Sequence, residues 1–94
     1  MIEKKYQKSE DIVSRKIADE VILVPIKSNV GDLDNIYTLN NVGARIWELI
    51  DGKRRLVDIK NVLAEEFEVD ESQARKDLEE FTQGLLEIKA LKEA

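Results

Sequence analysis

The sequence contains no cysteine and no histidine. Without cysteine there is no disulfide, no thiolate nucleophile and no cysteine-ligated zinc or iron–sulfur centre. Without histidine the commonest general base and the commonest metal ligand are both missing. Proline occurs once and glycine four times in 94 residues, so the chain is not of a low-complexity kind. Long apolar runs are also lacking. The longest, Val21-Ile22-Leu23-Val24-Pro25-Ile26, falls far short of the roughly 20 residues that cross a bilayer. The polar start, Met1-Ile2-Glu3-Lys4-Lys5-Tyr6-Gln7-Lys8, has no apolar core of a signal peptide, which makes the cytoplasm the expected compartment.

What is present is 43% hydrophobic and 37% charged, the mix of one small water-soluble globular domain. Net charge is −5, and it is unevenly spread. Residues 1–57 hold ten basic and nine acidic side chains, whereas residues 58–94 hold five basic and eleven acidic. A nucleic-acid binder needs Lys and Arg to displace counterions from phosphates, and the last two-fifths of this chain offers the opposite field.

Residues 1–12 show no periodicity and read as a flexible N-terminal arm, with residues 13–94 as the single domain. Val13, Arg15 and Ile17 alternate with Ser14 and Lys16 as in a short strand. Ala18-Asp19 would form a tight turn, and Glu20 to Ile26 is the strongest strand signal, with Pro25 expected near its end. A polar loop over 27–35 precedes a third short strand, Ile36-Tyr37-Thr38-Leu39. The period then changes to 3.6. Asn40 is a good N-cap for a helix whose inward face is Val42, Ile46, Leu49 and Ile50, flanked by Trp47 and ended by Gly52 in the left-handed C′ position. A second helix is predicted from about Val57 to Phe67, with Ile59, Val62, Leu63 and Phe67 inward. Asp70 and Gln73 form a capping-box pattern for a third, whose stripe is Ala74, Leu78, Phe81, Leu85 and Ile88. Ala90 and Leu91 would fold back on the core. The fold class is α+β: a three-stranded antiparallel sheet followed by a winged-helix-like trio of helices.

Catalytic constellations are not found. The carboxylate pairs Glu65-Glu66, Asp70-Glu71 and Glu79-Glu80 are adjacent on helices or caps and read as solvated surface. Asp32 and Asp34 lack the ligand series and closing Glu of a calcium loop. The serines have no histidine to activate them. No cofactor or metal site is expected. The run Ile36–Leu39, by contrast, would be an edge strand carrying neither charge nor proline. Such an edge is covered by another element of the chain, pairs with a second copy, or accepts a guest strand.

Three segments together resemble the PqqD family: Asp19-Glu20-Val21-Ile22-Leu23-Val24, Tyr37-Thr38-Leu39-Asn40, and Ala44-Arg45-Ile46-Trp47-Glu48-Leu49-Ile50-Asp51-Gly52. Val57, Asp58, Ile59, Leu63, Phe67, Val69, Asp77, Leu78 and Phe81 continue that family's pattern, so the resemblance spans residues 13–91. It implies a non-enzymatic recognition element for ribosomally made, post-translationally modified peptides. Such an element binds the leader of a precursor peptide as an added strand and presents it to a modifying enzyme, often a radical S-adenosylmethionine protein. The resemblance places the leader on Ile36, Tyr37, Thr38 and Leu39, against Arg75, Leu78, Glu79, Thr82 and Leu86 of the third helix. The long loop 27–35 and Trp47 depart from the family pattern and favour a peptide pathway other than that of pyrroloquinoline quinone. A homodimer through the same edge would compete with the peptide. The alternative function is a winged-helix DNA-binding regulator, but the third helix and its end carry five acids against Arg75, Lys76 and Lys89. Neither a nucleic acid nor a membrane is an expected partner.

Overall fold

The structure, a computed structural model, describes residues 1–18, 20–26 and 37–94. The predicted loop 27–35, the turn residue Asp19 and Ile36 at the head of the third predicted strand lie outside the described residues. In chain order the elements are β1 (Tyr6–Lys8), β2 (Ile12–Ile17), β3 (Glu20–Pro25), β4 (Tyr37–Leu39), α1 (Asn41–Leu49), α2 (Leu56–Glu66), α3 (Glu71–Glu87) and β5 (Leu91–Glu93). The sheet β2-β3-β4 is antiparallel throughout, and three helices follow it, so the α+β reading holds.

The sheet register explains which face is buried. Leu23 pairs with Tyr37 and Val21 with Leu39, and paired residues share a face. Leu23 and Leu39 are buried in the core on that face. The other face carries the pairs Val13 with Val24, Arg15 with Ile22, and Ile22 with Thr38. It stays largely open: Val13 and Ile17 are exposed. Ala18, between β2 and β3, adopts a left-handed φ of 55°, where a tight reversal requires it.

Asn40 caps α1 as expected, its Oδ1 accepting from the Gly43 N–H at 2.8 Å. Ile46, Trp47, Leu49 and Ile50 are buried, and Val42 half-buried. Gly52 is left-handed at φ 80°, but it stands two residues beyond the C-cap Ile50 instead of at C′. Its conformation serves the following turn, where its N–H donates to the Tyr6 carbonyl at 2.9 Å. In α2, Ile59 and Leu63 are buried. Phe67, expected inward, is the C-cap and is 36% exposed, because the chain leaves the helical path there.

Asp70 caps α3 through the Gln73 N–H at 2.8 Å, but the reciprocal half of the box does not form: the Gln73 carboxamide donates to Asp77 instead. Ala74, Leu78 and Leu85 are buried, with Phe81 half-buried. Ile88, expected inward, is 42% exposed, and Thr82 is buried in full. At about 100° per residue the expected stripe drifts, so its centre runs through Leu78 and Leu85, with Thr82 on one flank and Phe81 and Ile88 on the other.

Lys89, left-handed at φ 61°, donates to the Leu86 carbonyl while Ala90 donates to that of Leu85. This Schellman-type reversal turns the chain back, burying Ala90 and Leu91. Leu91–Glu93 then pairs antiparallel with Tyr6–Lys8. The flexible arm expected over residues 1–12 is therefore corrected. Tyr6 is only 3% exposed, and Leu56 and Val57 donate to the carbonyls of Lys4 and Ile2. A three-residue strand is too short to show a period, and its partners lie far away in the sequence.

Candidate functional site

In the sheet order β2-β3-β4, β4 is an edge. Among the described residues no strand pairs with its second side, so part of its backbone N–H and C=O groups face outward. Tyr37 and Leu39 point to the helical side, and Thr38 is exposed on the other.

Tyr37 carries the strand to α3. Its hydroxyl oxygen lies against Gly84, where a Cβ would stand 3.4 Å from it. Gly43 brings α1 nearer still, since a Cβ there would meet the Phe81 ring at 2.8 Å. Beside these contacts an open cleft of about 370 Å³ separates β4, the start of α1 and α3. Tyr37, Val42, Ile46 and Phe81 supply its apolar walls, and Asn40, Asp77 and Glu80 its polar ones.

The α3 residues that share this cleft differ from those expected. Asp77, Glu80 and Phe81 line it, and Gly84 touches Tyr37. Arg75, Glu79 and Leu86 fall on the opposite flank of the buried stripe, about half a turn round the helix. Arg75 Nε pairs there with Glu79 Oε1 at 3.2 Å, while Leu86 packs against the core. Leu78 and Thr82 lie under the helix, fully buried. Of the residues expected on β4, Tyr37 faces the cleft, Thr38 is exposed, Leu39 is part of the core, and Ile36 lies outside the described residues. Sequence reasoning did not place Asp77, Glu80 and Gly84 beside β4. The available signal was the glycine within α3, which lies where Tyr37 reaches the helix.

Electrostatically the cleft is acidic. Among the described residues Asp77 accepts the neutral Gln73 amide at 2.8 Å, and neither Asp77 nor Glu80 forms an ion pair. The titrating groups that shift lie elsewhere and are structural. The backbone N–H groups of Arg54 and Arg55 lower Asp51 and Asp58 respectively. A fork from Arg45 to Glu66, two bonds of 2.8 Å, lowers Glu66 and joins α1 to α2. The bond that Lys4 donates to the Glu93 carboxylate raises Lys4. Among the described residues no three acidic, histidine or cysteine side chains converge as a metal site, and no helix is long and apolar enough to cross a membrane. Trp47 is a core residue, its ring covered by Lys8 Nζ at 5.1 Å from the centroid.

Comparison with known proteins gives two findings. The family model described as Coenzyme PQQ synthesis protein D (PqqD) matches residues 20–91. A solved structure, TbiB1 in complex with the TbiA(beta) leader peptide, is similar over 92% of this chain and 94% of its own, with 29% identity and a TM-score of 0.77. No curated protein matches significantly.

Proposed function

The chain belongs to the PqqD family, and on that footing we propose that it is a non-catalytic module that binds the leader of a ribosomally made precursor peptide by strand addition to β4. The observation that carries this reading is the unpaired side of β4 standing beside an open cleft on α3. Main-chain bonds along β4 would supply affinity, and the cleft would select alternate side chains. The similar TbiB1 structure, in complex with a leader peptide, supports the leader-binding part of this reading. The bound precursor is then presented in the cytoplasm to a modifying enzyme, for which the family favours a radical S-adenosylmethionine protein. In this reading the docking residues are Tyr37 and Thr38 with Asp77, Glu80, Phe81 and Gly84, and Arg75, Glu79, Leu86 and the buried Leu39, Leu78 and Thr82 act only through the fold.

The test is a titration of isotopically labelled protein with the leader of the precursor peptide encoded beside it. Amide shifts are expected at Tyr37–Leu39 and along 77–84. Methylating alternate leader amides should abolish binding in one register and spare it in the other. Shifts confined to residues away from β4 would sink the reading. A homodimer formed through β4 would appear in the same experiment as dissociation on peptide addition.

A further inference from the structure

We infer that the leader recognised by this chain places a lysine or arginine in the cleft between β4 and α3. The inference rests on the leader-binding reading and adds the chemistry of the ligand. A strand added to β4 must obey the pleat. Its residues opposite Tyr37 and Leu39 point to the helical side, and the one between them points to the open face beside Thr38 and Ile22. The helical-side residues therefore meet the cleft.

That cleft has two chemistries in sequence. Its walls at Tyr37, Val42, Ile46 and Phe81 are apolar, and two of them are aromatic rings. Its rim on α3 is Asp77 and Glu80, with no basic side chain among the lining residues. Gln73 leaves the Asp77 charge uncompensated, because an amide donor brings no cation. Elsewhere the protein pairs carboxylates that lie near cations: Glu66 with Arg45, Glu79 with Arg75, Asp51 with Arg54. A long side chain with an apolar stem and a cationic head complements both parts. The stem would lie along Phe81 and Val42, the rings would favour a cation over their faces, and the head would reach the two carboxylates. An acidic or small residue would leave the carboxylates unanswered or repelled. By the period of two, an apolar leader residue stands two or four positions from the cation.

The test selects binders to the full chain from a displayed library of random dodecapeptides. Peptides that shift the Tyr37–Leu39 amides are expected to share Lys or Arg at one position with an apolar residue two or four away. The Asp77→Asn/Glu80→Gln double variant should bind them roughly tenfold more weakly and with less dependence on salt. Replacing that Lys by norleucine in the peptide should give a similar loss with the protein unaltered, which keeps the test independent of the variant's folding. Peptides that shift the same amides without a basic preference, and bind the double variant equally well, overturn the inference and leave leader binding standing. A library that yields nothing at β4 overturns the leader-binding reading, and this inference with it.

Discussion

Gly43 and Phe81 meet so closely that a side chain fits between them only if the ring moves: a Cβ on Gly43 would stand 2.8 Å from Phe81 Cε2. The contact sets the width of the cleft, because the Phe81 ring is one of its walls. Gly43→Ala should gain up to about 1 kcal/mol of helix propensity. The same Cβ pushes a half-buried ring that can swing outward into the cleft. Stability should therefore change by less than about 1 kcal/mol while leader affinity falls about tenfold. Calorimetric titration beside thermal unfolding separates the two, and an affinity equal to that of the parent would show that the cleft is not the binding wall.

Tyr6 tests the N-terminal strand. Its side chain is buried in the core and its strand pairs with β5. Tyr6→Ala should cost about 3 kcal/mol in urea unfolding, the usual range for a buried aromatic. A loose arm would instead lose less than about 0.5 kcal/mol, as exposed positions do.

Thr82 is buried in full, and its hydroxyl has no hydrogen-bond partner among the described residues. Valine has nearly the same shape and no polar atom. Thr82→Val should raise the urea midpoint by the equivalent of about 1 kcal/mol without altering leader affinity. A loss of stability would mean that the hydroxyl is satisfied in solution.

The Arg45–Glu66 fork predicts a dependence on pH. Arg45 holds the Glu66 carboxyl below its ordinary value of 4.5. A lowered acid contributes stability that is fully present above that ordinary value and is lost as pH falls through the lower native value. Asp51 and Asp58 shift in the same direction, so the protein should weaken progressively below pH 4.5. In Glu66→Gln the acid limb should be shallower. The stability gap to the parent should be widest near neutrality and close as pH falls through the lowered native value. A gap that does not change with pH would show that the pair contributes no charge-dependent stability.

Most of the architecture was legible because it rests on short-range rules. Asn40 and Asp70 cap the helices they precede, since a side-chain oxygen needs only the N–H three residues on. The β-branched run of β3 and the period of 3.6 beyond Asn40 declare their elements in the same local way. The cleft was legible only in part. That β4 is an edge strand without charge or proline follows from strand order and composition, but which flank of α3 stands beside it depends on a rotation of the helix about its own axis. A buried stripe fixes that rotation only to within the width of a side chain. The family resemblance placed Arg75 and Leu86 beside the strand, where Asp77 and Glu80 line the cleft and Tyr37 touches Gly84.

The amino-acid sequence by itself determined that this is an α+β domain with no thiol or imidazole chemistry and an edge strand free of charge and proline. Tertiary structure alone decided two further matters. It joined residues 6–8 to residues 91–93, because pairing between the ends of a chain leaves no local period. It also turned the acidic flank of α3 to β4, through contacts between residues far apart in the sequence, Tyr37 with Gly84 and Gly43 with Phe81.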